Sequence, residues 1–464
     1  MTPKKSLSGS MTSGNPFRLI LLFSLPLIAG NALQQVYNMA DSIIVGNYVG
    51  STALVAVGGA FPIIFIMSSL FMGLGIGSMV MVSQFYGAED FDNLRKTIDT
   101  IYTFLICAGI PISIISALCT NPILDLMSVP EDARSEAYIY LIIVLSGLLG
   151  SLGYNANTGI LQGVGDSKTP LILLALACLL DNGLNLLFVL VFKMGVAGAA
   201  LSTVIGQMAS WIFGIFFINK RYPMLKIRPF SFRFHKAAFY QIMKLGLPAG
   251  IQNALIGIAT LLLTRLTNLQ GSVFAAGISG ANKLDTFAFL PIVSFSTAAT
   301  AFTGQNIGAG KVERVKQGVR ATIIISLCFS ALSLLVIPFG PQLLRMFTPE
   351  KDVIESGMVF LRTVMPFYFL LGILYILNSV IRGSGESIIP MITVLIGVCV
   401  VRLPIAHLIE HYWGAEYMFY SYAIGWVCSL SIVIPYYLSG KWKGKGITAL
   451  SQAMNAADMG DGVM

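Results

Sequence analysis

Gly163-Val164-Gly165-Asp166-Ser167-Lys168-Thr169-Pro170 returns 220 residues later as Gly383-Ser384-Gly385-Glu386-Ser387-Ile388-Ile389-Pro390. The glycines, the acid and the proline keep their spacing. Leu25-Pro26 with Asn31-Ala32-Leu33 returns as Leu247-Pro248 with Asn253-Ala254-Leu255, and Gln84-x-x-Gly87-Ala88 as Gln305-x-x-Gly308-Ala309. Pro122, Met127 and Pro130-Glu131 pair in the same way with Pro341, Met346 and Pro349-Glu350. Blocks in one order at a slowly drifting offset mark an internal duplication. The chain is therefore read as two copies of one unit.

What lies between these blocks is almost all apolar. Of the 464 residues 56% are hydrophobic and only 11% charged, with a mean hydropathy of +0.80. Ordinary soluble proteins carry roughly 25% charged residues, so a soluble enzyme is excluded. The 46 Gly and 19 Pro show no three-residue period, which excludes collagen. Cys107, Cys119, Cys178, Cys328, Cys399 and Cys428 are scattered through apolar runs without a C-x-x-C pair, which excludes a disulfide scaffold.

A spanning helix needs about 20 mostly apolar residues. Twelve such stretches lie near 17–46, 53–83, 97–119, 136–161, 169–192, 195–219, 239–265, 272–303, 319–338, 353–381, 388–410 and 415–438. The first contains Asn31, Gln34, Gln35, Asn38 and Asp41, where a cleavable signal peptide would have an unbroken apolar core. It is read as a retained span. The expected fold is an all-α integral membrane protein of twelve helices in two six-helix lobes. Six spans per copy is an even number, so both copies enter the membrane from one side. A pseudo-two-fold axis along the membrane normal then relates them. The expected organisation is an N-terminal segment 1–16, an N-lobe 17–219, a linker 220–238, a C-lobe 239–438 and a tail 439–464.

Twelve spans put both termini and the even-numbered loops on one side. Of the 29 Lys and Arg, 21 fall there and six on the other side, with Lys283 and Arg402 at membrane depth. The positive-inside rule places both termini in the cytoplasm. The same bias accounts for the net charge of +8 without nucleic acid, which would need an aqueous basic face.

Several motifs resemble those of the multidrug and toxic compound extrusion (MATE) transporters. They are Asp41-Ser42-Ile43-Ile44-Val45-Gly46 followed by Ala53-Leu54-Val55-Ala56-Val57-Gly58, then Gln84-Phe85-Tyr86-Gly87-Ala88, the Gly163 block, and Gly195-Val196-Ala197-Gly198-Ala199-Ala200 with Ser202-Thr203 and Gln207. The resemblance spans all twelve segments. It implies an antiporter of the bacterial inner membrane, acting as a monomer among lipids. Such a protein exports amphipathic, often cationic, organic compounds by alternating access, in exchange for protons or sodium ions. It implies no enzyme activity, no metal site and no cofactor beyond the coupling ion.

Charge at bilayer depth is costly and marks function by default. Asn31, Gln34, Asn38 and Asp41 fall on one face of span one with Tyr37 at its border, and that face needs water or another helix. Related transporters carry an acid at the place of Asp41. In span five, Asp181 and Asn185 stand one turn apart. The family order is Asn and then Asp, so the charge is displaced here by about 5.4 Å. Thr203 matches the family's hydroxyl near this cluster, with Asn155 and Asn157 as neighbours on span four. Asp41, Asp181, Asn185, Asn155 and Thr203 are the candidates for ion coupling, and Gln34, Tyr37, Asn38, Asn157 and Asp285 for substrate. Protonating such an acid removes a charge and favours a different helix arrangement, while sodium would need several fixed oxygens. Either ion fits the cluster. In the second lobe, Ile256, Gly257 and the stretch 370–378 lack the acids that some branches of the family carry. Arg402, before Pro404, suits a role in anchoring its helix.

Two other readings deserve weight. His407-Leu408-Ile409-Glu410-His411 spells H-x-x-E-H, a zinc-peptidase pattern, but it sits beside Tyr412-Trp413 like an interfacial belt. A flippase for a lipid-linked precursor would share the architecture, yet Lys283, Arg402 and Arg265 are few cations to meet a pyrophosphate. No ring of like charges suggests a channel.

Overall fold

The computed structural model describes residues 10–48, 51–127 and 131–446, with side chains in 10–39, 64–125 and 133–446. It is all-helical, with no strand among the described residues. Among the described residues eleven helices are long and apolar enough to cross a membrane, and a pair bent by 45° makes a twelfth if it is one span. We label them α1 (Pro16–Tyr48), α2 (Ser51–Gly87), α3 (Phe91–Leu118), α4 (Glu131–Ser146 and Leu148–Gly163), α5 (Lys168–Val191) and α6 (Val196–Arg221). The second set is α7 (Lys236–Asn268), α8 (Ser272–Gly308), α9 (Val312–Ser333), α10 (Lys351–Gly383), α11 (Ile388–Trp413) and α12 (Tyr420–Leu438). The twelve expected spans are all present, most within a few residues of their expected ends, while the expected 319–338 and 97–119 begin seven and six residues earlier, at Val312 and Phe91. Helices satisfy their own backbone groups, which is why uninterrupted apolar runs take this form.

The duplicated Gly-x-Gly-acid block starts the fifth helix of each copy. Gly165 and Gly385 adopt φ of 87° and 107°, a region that glycine enters without strain. The turn aims the next acid at the following helix. Asp166 Oδ1 accepts from the Lys168 and Thr169 amides at 3.0 Å, and Glu386 Oε1 accepts from the Ile388 amide at 2.9 Å. Each acid thus satisfies amides that a helix start leaves unpaired. Asp166 Oδ2 also accepts from the Tyr222 hydroxyl at 2.9 Å, and burial raises the Tyr222 pKa. This clamp is therefore intact below the ordinary tyrosine range and is lost only at still higher pH.

Packing divides the chain into two compact units, Ala29–Gly250 and Ser10–Ile28 with Ile251–Ile447. The division falls inside α7 at Gly250, whereas the basic linker lies at 220–238. The start of α1 belongs to the second unit because the Met11 amide donates to Gln305 Oε1 at 2.7 Å, and Asn306 and Arg314 donate to the Met11 carbonyl.

Within the first unit, α2 and the first half of α7 meet through facing small-xxx-small pairs, Gly73 with Gly77 and Gly246 with Gly250. A Cβ on Gly73 would lie 2.4 Å from the Gly246 carbonyl oxygen and the Gly250 nitrogen. Among lipids apolar side chains gain little by burial in protein, so close backbone approach does this work.

Candidate functional site

In the first unit the site forms around Asp181, midway along α5 and 3% exposed. Tyr37 on α1 donates its hydroxyl to Asp181 Oδ2, and Thr203 Oγ1 on α6 reaches the same oxygen at 3.5 Å. The Ser202 hydroxyl also approaches this carboxylate while donating to the Ala199 carbonyl at 2.8 Å. Gly206 lets α6 come this close, since a Cβ there would stand 3.1 Å from Asp181 Cβ. The result is a buried carboxylate ringed by three hydroxyls from two other helices. Asn185 lies buried one turn further along α5, and α5 ends in a π-helical turn, Leu187–Val191, a feature often found at functional sites.

The other candidates are distributed more widely. Asp41 belongs to α1, but its side chain is outside the described residues. Gln34 and Asn38 are exposed on α1, and Tyr37 is half-buried between them. Tyr37, placed on the substrate wall from its position in span one, bonds the Asp181 carboxylate instead of standing open. Asn155 turns back on its own helix and donates to the Ser151 carbonyl at 2.8 Å, so it does not hydrogen-bond Asp181. Asn157 is fully buried. It accepts from the Tyr102 hydroxyl and donates to the Trp211 carbonyl at 2.9 Å, tying α3, α4 and α6 together. Ser202 and Gly206 went unassigned in the sequence, although their i, i+4 spacing places them on one face.

The second unit holds a different arrangement. Asp285 on α8 accepts from the Tyr368 hydroxyl on α10. Arg402 on α11 is buried, with its guanidinium 3.6 Å from the centre of the Tyr422 ring, and its charge acts on Asp285. Tyr422 and Tyr368 each meet Trp426 edge-on at 5.9 and 6.1 Å. Where the first unit buries an acid among hydroxyls, the second sets a half-buried acid and a buried guanidinium among aromatic rings. A desolvated cation over a ring contributes about 2 kcal/mol, and Arg402 also compensates Asp285. Arg402→Met is therefore expected to lower the melting temperature, and combining it with Asp285→Asn to cost less than the two single losses added. Thermal unfolding of the three variants in detergent reads this; additive losses would show that the two charges are independent.

At the end of α11, Glu410 is engaged by Gln270, which donates to Oε1 at 2.8 Å, and His407 lies 3.8 Å from Oε2. Among the described residues no three His, Cys, Asp or Glu side chains gather as a metal site would require.

The chain is 31% identical over 437 residues to the probable multidrug resistance protein YpnP of Bacillus subtilis, covering 93% of this chain and 97% of that one. It is 24% identical to the probable multidrug resistance protein NorM of Thermotoga maritima, covering 92% and 93%. A solved structure described as the outward-facing conformation of a multidrug resistance MATE family transporter superposes with a TM-score of 0.87 at 24% identity. It covers 97% of this chain and 100% of that one, and shows the same fold. The MatE family profile matches residues 26–187 and 248–408, once in each copy of the duplication. The chain belongs to the MatE family, the MATE transporters.

Proposed function

We propose that this transporter is a multidrug efflux antiporter of the bacterial inner membrane. It exports amphipathic, mostly cationic organic compounds by alternating access and takes up protons through the acids of its N-lobe. The observation that carries this reading is the Asp181 carboxylate, buried on α5 beneath Tyr37, Ser202 and Thr203. A buried acid in that setting exchanges one proton at a time, and gaining it removes a buried charge. Asn155, counted among the oxygens that a sodium site would need, donates to a carbonyl of its own helix instead, which favours protons over sodium as the coupling ion. The names of the relatives, multidrug resistance proteins, support drug export as the activity.

Asp41 would share the proton with Asp181 along α1, with Gln34 and Asn38 meeting substrate. Fluorescent-cation antiport in proteoliposomes, driven separately by a proton or a sodium gradient, tests the scheme. Wild type is expected to respond to the proton gradient, and Asp41→Asn to lose that response. Equal transport by Asp41→Asn and wild type under both gradients would overturn it.

A further inference from the structure

The linker from Tyr222 to His235 is pinned at both ends. Upstream, the Asn219 side chain grips the backbone of Ile227 by two hydrogen bonds of 2.6 and 3.0 Å, and Leu225 and Ile227 are buried. Downstream, the His235 amide donates to Thr100 Oγ1 at 3.2 Å, and Thr103 Oγ1 donates to the Arg233 carbonyl at 3.0 Å. Yet Phe230, Phe232 and Phe234 remain 78%, 56% and 44% exposed. Phe232 has φ of +48°, a conformation that is costly for a bulky side chain and persists only where its surroundings impose it.

Basic residues surround these rings. Arg95, Arg228, Arg233 and Lys236 are exposed. Asp99, buried on α3, feels the charges of Arg233, Arg95 and Arg228, and one carboxylate cannot neutralise three guanidiniums. Positive charge remains at the rim. Beside it a shallow apolar slot opens among α2, α3, α4 and α7, lined by Phe71, Leu74, Phe104, Leu152 and Phe239. Slot and linker are continuous, because the Phe239 ring lies 5.0 Å from Phe104 and 5.2 Å from Phe234. Thr100, which holds the linker, also lines the slot.

We propose that this slot and its rim bind an anionic phospholipid, with an acyl chain in the slot and the phosphate against Arg228 and Arg233. Phe230 and Phe232 enter the boundary between headgroups and chains, as aromatic side chains do at membrane surfaces. A soluble anion would leave the slot and the rings uncovered. A zwitterionic lipid would leave the excess of guanidinium charge unmet.

The test uses purified full-length protein stripped of lipid and titrated with phosphatidylglycerol or phosphatidylcholine, with retained lipid read by native mass spectrometry. Phosphatidylglycerol is expected to be retained in preference. Each basic residue at such a surface contributes about a fivefold factor, so Arg228→Gln with Arg233→Gln is expected to weaken its retention about thirtyfold. Phe230→Ser with Phe232→Ser is expected to weaken retention of both lipids. Lys441→Gln with Lys443→Gln, in the other unit, is expected to change neither. All these positions are on the surface, and an unchanged melting temperature verifies that the variants fold. Equal retention of the two lipids by wild type, or unchanged retention by the arginine pair, overturns the proposal. So does displacement of the lipid by soluble glycerol phosphate, which would show that the slot plays no part.

Discussion

Asp181→Asn is expected to give a folded transporter that no longer responds to an imposed proton gradient. Asparagine keeps the shape of the side chain and an oxygen to accept the Tyr37 hydroxyl, so α1, α5 and α6 stay in contact. What it removes is the change of charge. Coupling between two bound ligands is typically about 1–3 kcal/mol, or 5- to 150-fold, and with Asp41 left as the one proposed coupling acid this factor is expected to fall towards one. Downhill movement of substrate should survive while gradient-driven accumulation disappears, which proteoliposome flux measured with and without the gradient separates. Moving the charge one turn, with Asp181→Asn and Asn185→Asp together, restores the order usual in related transporters. It is expected to recover part of the coupling, because Asn185 is buried on the same helix. Full gradient response in Asp181→Asn alone would remove this residue from the mechanism.

The second large effect is expected at Gly73. Leucine there would drive a side chain into backbone: the nearest atoms to a Cβ are the Gly246 carbonyl oxygen and the Gly250 nitrogen and Cα, all within 2.5 Å. Rotamer changes cannot relieve a clash with backbone. Overpacking a well-packed interior typically costs about 1–3 kcal/mol, and more where nothing can yield. Net stabilities are of order 5–15 kcal/mol, so Gly73→Leu is expected to remove a large share of that margin and lower the melting temperature in detergent sharply, with size-exclusion elution reading how much folded protein remains. Gly183→Ala is the comparison, since no atom lies within 4 Å of its added Cβ. There the methyl group is expected to stabilise α5 by about 0.5–1 kcal/mol. A folded Gly73→Leu protein with an unchanged melting temperature would show that the α2–α7 contact is not fixed by glycine.

The position of the acid proposed for coupling is legible in the sequence. An aspartate inside a mostly apolar spanning helix has few explanations, and Asp181 is buried and hydrogen-bonded. Its partners were less legible. Tyr37 lies 144 residues away, and nothing in its spacing distinguishes a ligand-facing phenol from one that bonds a carboxylate. Asn157 and Asn155 look alike on paper, two residues apart on α4. One ties three helices together and the other bonds its own turn, because a rotation of about 200° separates them on a helix.

Amphipathic contrast and insertion cost are local properties, so they are written in residue order. The sequence alone therefore determined the twelve spans, the duplication, the family and the place of Asp181 within a span. The capping role of the repeated Gly-x-Gly-acid block was within reach of the same logic. Which hydroxyls surround Asp181, the pairing of Asp285 with Tyr368 and Arg402 with Tyr422, and the glycine contact of α2 with α7 depended on tertiary structure. Each joins residues far apart in the chain, and among lipids the choice of helix partner rests on shape and hydrogen bonding between faces. Neither has a period that can be read along a single strand of sequence.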